Sequence, residues 1–256
     1  MAVTFEHHHG VGSITLDHPP ANSYDLDVMS EFGAAVDDAI ESGAGAVIVR
    51  SASDKFFSAG ADVKKFLAGN VATSMEMIGV SQSAFRRMAE ADAVFIAHIA
   101  GHALGGGLEI ALACDVRLAT AGHYKLGTPE VTLGLLPGNG GTQRLTRLLG
   151  PSRGLDLLLT GRTFTPAEAH DWGLIAALYD PEDADDRVRA YAVGLAQGAP
   201  LAIAAIKRCV HEGGELPLSE GLALEAELVE HLFGSQDARE GLHAFVDKRT
   251  PEFVGA

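Results

Sequence analysis

The stretch Gly101-His102-Ala103-Leu104-Gly105-Gly106-Gly107-Leu108-Glu109 decides how the middle of the chain folds. It follows an apolar run at residues 94–99 and leads into apolar residues 108–113, which predicts a strand, a glycine-rich turn and the start of a helix. Such a turn points backbone N–H groups outward, with the positive end of the helix dipole behind them. Its spacing matches neither the dinucleotide fingerprint nor the P-loop. Taken alone, the turn could hold an anion or simply pack tightly.

Outward from this stretch, short β-type runs alternate with helical patterns. Strands are predicted at residues 3–6, 13–17, 46–50, 94–99, 116–119 and 174–178. Helices are predicted at residues 26–42, 75–89, 108–113, 141–150, 152–160 and 166–172. This alternation indicates an α/β architecture.

After residue 180 the pattern becomes purely helical, over residues 183–197, 200–211 and 217–233. The last of these carries more apolar surface than one exposed helix tolerates, in Leu222, Leu224, Leu228, Val229 and Leu232. We therefore expect this tail to pack on something, and a partner subunit is one candidate.

Composition excludes several classes of protein. The 256 residues are 47% hydrophobic, enough for one large globular domain. With 19 Lys and Arg against 34 Asp and Glu, the formal net charge is −15, which argues against nucleic acid as a partner. No Lys or Arg precedes Arg50, which excludes a basic transit peptide, and we expect a cytoplasmic protein. Cys114 and Cys209 are too few for a disulfide scaffold.

Neither a membrane span nor a metal site is predicted. The most apolar stretch, residues 93–113, is interrupted by His98, His102, glycines and Glu109. The run His7-His8-His9 lies within two predicted strands, and neighbouring strand residues point to opposite faces, so the three rings cannot converge on one ion.

Two further segments have the composition of a binding site. Phe57-Ser58-Ala59-Gly60-Ala61-Asp62 follows a predicted strand, and its small residues let backbone N–H groups approach a ligand closely. Leu126-Gly127-Thr128-Pro129-Glu130-Val131 is followed by Gly134-Leu135-Leu136-Pro137-Gly138-Asn139-Gly140-Gly141-Thr142-Gln143-Arg144-Leu145.

Together, these segments resemble the enoyl-CoA hydratase/isomerase (crotonase) superfamily, from Val11 to Phe253. The resemblance rests on Ser-Ala-Gly-Ala-Asp, Gly-Gly-Gly-Leu-Glu, Cys-Asp, Gly-Thr-Pro-Glu and Pro-Gly-Asn-Gly-Gly-Thr-Gln-Arg-Leu in this order. It implies a crotonase-like spiral of ββα turns over residues 1–195, with a C-terminal helical trimerisation region over residues 196–256. It also implies an acyl-CoA substrate and a homotrimer or dimer of trimers.

The resemblance assigns an oxyanion hole to the N–H groups of Ala61 and Gly106. Chemistry at the α and β carbons of a thioester puts negative charge on its oxygen, and two backbone donors in a dry site stabilise that charge. Adding water also needs one group to activate the water and one to protonate the α carbon. Glu109 and Glu130 are the candidate acids, and the match to hydratases makes Glu109 the base and Glu130 the proton donor. In isolation, Glu109 could instead complement the helix dipole and Glu130 could cap a helix.

The implied reaction is hydration of 2-enoyl-CoA to 3-hydroxyacyl-CoA, without a metal or redox cofactor. Lys64, Phe245 and Lys248 resemble residues that contact coenzyme A in the family, the last two from a neighbouring subunit. The alternatives are a Δ3,Δ2-enoyl-CoA isomerase, which needs one carboxylate only, and a catalytically idle acyl-CoA-binding or RNA-binding relative. Three departures from the family pattern touch the acyl pocket. They are a segment between Cys114 and Glu130 that is one residue longer than in the mitochondrial type of hydratase, Asn139, and the element Pro19-Pro20-Ala21-Asn22-Ser23-Tyr24-Asp25. His98 and His102 are interpreted as core or supporting histidines.

Overall fold

Eleven strands form three sheets in the computed structural model, which describes residues 1–256. The largest sheet contains β1 (Val3–His8), β2 (Val11–Leu16), β4 (Ala46–Ser51), β7 (Val94–Ile99), β9 (Val116–Thr120) and β11 (Ala177–Tyr179), in that spatial order. A three-stranded sheet contains β10 (Leu126–Gly127), β8 (His102–Leu104) and β5 (Phe56–Ser58). The short strands β3 (Ser23–Tyr24) and β6 (Gly60–Ala61) pair with each other. Only β1 and β2 are antiparallel, as a hairpin.

The same order of strands recurs along the chain. A strand of the large sheet is followed by a short strand of the small sheet, in the pairs β4 and β5, β7 and β8, and β9 and β10. Helices complete the turns: α1 (Leu26–Glu41), α2 (Val63–Ala68), α3 (Val71–Glu90), α4 (Gly106–Ala113), α5 (Gly141–Leu149), α6 (Pro151–Thr160) and α7 (Pro166–Asp171). The predicted spiral of ββα turns is confirmed.

Helices cover the large sheet on both faces, as a mostly parallel sheet requires. Val47 and Val49 of β4 join the main core with residues of α1, α3 and α4. Ile48, between them, faces the other way and packs with Val188 and Ala192 of α8 (Ala184–Ala196). Helix α8 is therefore part of the sheet's cover. The helices beyond it are α9 (Pro200–His211), α10 (Leu218–Phe233) and α11 (Gln236–Asp247).

Some predicted bounds are wrong. The strand predicted at 174–178 is β11 at Ala177–Tyr179, because Leu174 and Ile175 are buried in the preceding loop and imitate a strand's apolar pattern. The helix predicted from residue 75 begins at Val71, where the Asn70 side chain accepts the Thr73 N–H. Helices α2 and α11 were not predicted.

No single helix is long and apolar enough to cross a membrane. Helix α8 and residues 200–215 pass that test only when taken together, and they are bent by 103° at the break between them.

Candidate active site

The glycine-rich turn places the start of α4 against the short strand β6. Gly105 caps the helix with a positive φ of 54°, and its N–H donates to the Gly127 carbonyl at 2.8 Å. Gly106 is the first helical residue, so its N–H has no acceptor within the helix. A Cβ built on Gly60 would lie 3.0 Å from the Gly106 nitrogen, which shows how closely the two segments approach. The segments that carry the two predicted N–H donors, Ala61 and Gly106, are thus brought together.

Ala61 lies in β6, opposite Tyr24 of β3. The amides on either side of it are used: Gly60 N–H donates to the Ser58 hydroxyl at 3.1 Å, and Asp62 N–H donates to the Tyr24 carbonyl at 2.8 Å. Neither bond involves the Ala61 N–H. This arrangement is compatible with a donor directed at a ligand.

Glu109 lies in the first turn of α4 and is fully buried. Its Oε1 accepts two backbone hydrogen bonds at 2.7 Å, from the N–H groups of Asn139 and Gly141. Burial raises the pKa of this carboxyl, while the two N–H donors and the nearby Arg144 oppose the rise. Oε1 is therefore held in place by these hydrogen bonds, and Oε2 is available to exchange a proton.

Glu130 approaches from the opposite side, on a 3₁₀ helix at Pro129–Leu133. A Cβ built on Gly105 would lie 2.9 Å from Glu130 Oε1, so the carboxyl stands at the entrance of α4. Its Oε2 is buried without a hydrogen-bond partner. Burial raises the pKa of Glu130 to about 7, and the charge of Glu109 adds to the rise. At neutral pH this carboxyl is partly protonated.

The site also holds two side chains whose roles the sequence did not predict. Tyr24 and Asn139 are both buried, and Asn139 Nδ2 donates to the Tyr24 hydroxyl at 3.0 Å. In the sequence they stand out only as departures from the family pattern. The signal that could have paired them is that the resemblance places both departures in segments next to the acyl pocket.

A cavity of about 380 Å³ opens beside Tyr24, between the starts of α1 and α2. Lys65 lines this cavity, and its Nζ lies 3.5 Å from Asp25 Oδ2. Lys64, the predicted coenzyme A contact, is exposed and is not among the lining residues. A larger cavity of about 650 Å³ lies between α3, α9 and α10. Neither Glu109 nor Glu130 lines either cavity.

The remaining sequence candidates lie elsewhere. Phe245 and Lys248 are exposed, on α11 and at its end, and α11 packs against α10. Within one chain they are not brought to the acids. His98 is buried against Thr120 and Asp185, and the His102 ring accepts the Lys125 N–H at 3.0 Å, so both histidines have structural partners.

Comparison with known proteins gives consistent results along the whole chain. The family model described as enoyl-CoA hydratase/isomerase matches residues 6–256. A probable enoyl-CoA hydratase of Mycobacterium bovis is 39% identical over 248 residues, covering 95% of this chain and 94% of that protein. A 2,3-dehydroadipyl-CoA hydratase of Escherichia coli is 34% identical over 94% of both chains. The crystal structure of an enoyl-CoA hydratase from Bacillus anthracis superposes with a TM-score of 0.94, at 32% identity, over 100% of both chains.

Proposed function

The chain belongs to the enoyl-CoA hydratase/isomerase family, and we propose that it adds water across the double bond of 2-enoyl-CoA thioesters to give 3-hydroxyacyl-CoA. Glu109 and Glu130 carry the protons, and the N–H groups of Ala61 and Gly106 form the oxyanion hole.

The observation that carries this proposal is the unequal pair of carboxyls at the N-terminus of α4, one buried and one half-buried. Glu109 has one oxygen tethered by two N–H donors, whereas Glu130 has an unpartnered buried oxygen and a pKa raised to about 7. A hydratase needs such a pair, because one group must accept a proton from water while the other gives a proton to carbon. An isomerase needs only one of them.

The proposed reaction conserves atoms and electrons. The oxygen of water bonds to C3 of the acyl group, and the proton that it releases goes to Glu109. The electron pair of the double bond moves onto the thioester as an enolate, whose oxygen is stabilised by the Ala61 and Gly106 N–H groups and the dipole of α4. Glu130 then protonates C2. This addition is redox-neutral, so it requires no redox cofactor, and the residues described supply the proton transfers without a metal.

Coenzyme A enters this proposal as part of the substrate. We place its arm in the cavity beside Tyr24. Lys65 and the neighbouring Lys64 supply positive charge there, which the lining carboxylates of Asp25, Asp27 and Asp62 partly offset. Phe245 and Lys248 would then reach the nucleotide of a neighbouring subunit's substrate.

Self-association, as a trimer or dimer of trimers, is the part of the proposal that explains the apolar tail. Large apolar side chains of α10 and α11 are exposed, namely Leu218, Leu222, Val229, Phe233, Leu242, Phe245 and Val246. Burying such a surface favours assembly. Light scattering at micromolar concentration should give a trimer or a hexamer, and a monomer would contradict this part.

The activity is tested by following the loss of enoyl-thioester absorbance with crotonyl-CoA and longer 2-enoyl-CoAs, beside a 3-enoyl-CoA. We expect rapid hydration of a 2-enoyl-CoA. Turnover of the 3-enoyl-CoA to its 2-enoyl isomer without hydration would identify an isomerase instead. Binding without any turnover would identify an idle relative.

A further inference from the structure

Tyr24 reaches the centre of the proposed site. A Cβ built on Gly106 would overlap the Tyr24 hydroxyl, so this oxygen lies directly against the Gly106 backbone. The side chain is 3% exposed. Burial raises the pKa of Tyr24 well above its usual range, and the charge of Glu109 raises it further, so the hydroxyl keeps its proton.

The hydrogen bonds of Tyr24 and Asn139 are incomplete. Asn139 Nδ2 donates to the Tyr24 oxygen, the Tyr24 O–H donates to no protein acceptor, and Asn139 Oδ1 is buried without a partner. If the Asn139 amide is rotated by 180°, the Tyr24 O–H donates to Oδ1 instead. Nδ2 then has no protein acceptor and can donate to a ligand. In either orientation the pair keeps at least one donor and one acceptor free.

The chemistry of the surroundings limits what can bind to this pair. An anionic group would lie near Glu109, whose charge raises the pKa of Tyr24 and would repel a second negative charge. A plain methylene chain would leave both polar groups buried and unpaired, which is costly. A neutral hydroxyl group can accept from the donor and donate to the acceptor at the same time.

We propose that Tyr24 and Asn139 form a specificity pair that recognises a hydroxyl group on the acyl chain next to the reacting double bond, so that hydroxylated short 2-enoyl thioesters are preferred over plain alkyl ones. This inference rests on the proposed function, since it concerns the acyl group of the same site. Both residues are specificity determinants, and neither transfers a proton in the reaction.

The test compares kcat/KM for crotonyl-CoA and 4-hydroxy-2-butenoyl-CoA, which differ by one hydroxyl group. For the wild-type protein we expect the hydroxylated substrate to be favoured by about tenfold or more, because a site built to bind a hydroxyl discriminates strongly against its absence. Tyr24→Phe and Asn139→Ala should each bring the ratio close to one. The double variant should change it little further, because either single change already breaks the pair. Asn139→Ala keeps the backbone N–H that binds Glu109.

Tyr124→Phe is the matched control. Tyr124 is also buried, but its single O–H already has protein acceptors, because the carbonyl oxygens of Ile99 and Thr120 lie 2.7 and 2.6 Å from the hydroxyl oxygen. Removing this hydroxyl should leave the substrate ratio unchanged.

Inhibition of the wild-type protein by 4-hydroxybutanoyl-CoA and butanoyl-CoA gives a second readout that needs no variant to fold. We expect the hydroxylated thioester to inhibit at the lower concentration. Equal inhibition by the two thioesters would overturn the specificity pair. So would a wild-type protein that hydrates crotonyl-CoA and 4-hydroxy-2-butenoyl-CoA with equal kcat/KM. Either result would leave the hydratase proposal standing. A folded wild-type protein that hydrates neither substrate would overturn the hydratase proposal itself.

Discussion

Glu109 and Glu130 are the same amino acid in two different settings. Glu109 is attached to a helix of the core and receives two N–H groups from the turn at residues 139–141. Glu130 lies on a five-residue 3₁₀ helix, and one of its oxygens is buried without a partner. Donors to the charged form favour ionisation, whereas burial without donors favours the neutral form. The comparison teaches that burial and the placement of backbone N–H groups can give two identical side chains different proton affinities, as the proposed base and acid require.

Removing either acid should have the largest effect. Glu109→Gln and Glu130→Gln should each lower kcat by roughly 10² to 10⁴-fold, because each loses a positioned proton carrier. Acyl-CoA binding should survive in both, and in Glu109→Gln the new amide oxygen can still accept the two N–H groups. Steady-state kinetics and binding titrations measure this, with the exposed Glu182→Gln as control. Wild-type turnover in the Glu130 variant would remove it from the mechanism.

A substitution at Gly106 should weaken the oxyanion hole, on which the proton transfers of both acids depend. Gly106→Ala and Gly106→Val should lower kcat/KM by roughly 10² to 10³-fold, as expected for loss of an oxyanion donor, and the added carbon overlaps the Tyr24 hydroxyl. The loss should be similar with 2-enoyl and 3-enoyl substrates, whereas the Glu109 variant should lose hydration more than isomerisation.

Gly79→Ala is the control for Gly106→Ala, since an added Cβ there meets nothing within 4 Å. Thermal melting shows whether each variant is folded. Near-normal hydration by a folded Gly106 variant would mean that the oxyanion hole lies elsewhere.

The pH dependence should separate the two carboxyls. Above about pH 7, kcat/KM should fall about tenfold per pH unit, because Glu130 loses the proton that it must donate. At low pH it should fall again as Glu109 becomes protonated, at a pKa above the usual glutamate value. The residual activity of Glu109→Gln should keep the alkaline decline and lose the acidic one. If Glu109→Gln instead abolishes the alkaline decline, the two roles are reversed.

Stability should show the smallest effect. The folded-state pKa of Glu130 is raised from 4.5 to about 7, so its contribution to the free energy of unfolding is complete below 4.5 and is lost as pH rises toward 7. At pH 8, Glu130→Gln should therefore raise stability by about 1–3 kcal/mol, or roughly 2–10 °C in Tm. Melting at pH 5 should show little difference. Glu109→Gln should gain less at pH 8, because its carboxylate already has two N–H donors.

The sequence predicted the parts of the site that depend on local pattern. The strand at residues 94–99 was predicted with its correct bounds, because a continuous apolar run is a local signal. The helix after the glycine-rich turn begins at Gly106, two residues before its predicted start, and the short strand His102–Leu104 was not predicted. The proposed roles of Glu109, Glu130, Ala61 and Gly106 came from the family resemblance and remain predictions. The structure adds that the segments carrying these residues meet at one end of α4.

Other features could not be predicted, for physical reasons. Strands β3, β6 and β10 have two residues each, which is too short for an alternating pattern to be detected. The hydrogen bond between Tyr24 and Asn139 joins residues 115 positions apart, and no periodicity carries such a contact. The difference between the two acids depends on which backbone N–H groups reach Glu109 through the fold.

The two backbone hydrogen bonds to Glu109 also affect how the chain can fold during its synthesis. The two donors follow Glu109 in the chain by 30 and 32 positions. At a synthesis rate of about 5–20 residues per second, the donors leave the ribosome roughly 2–6 seconds after the carboxylate does. Until then, α4 can enter the core only by burying this carboxyl without those two hydrogen bonds, which is unfavourable. We therefore expect α4 to dock stably only after the turn at residues 139–141 has been synthesised.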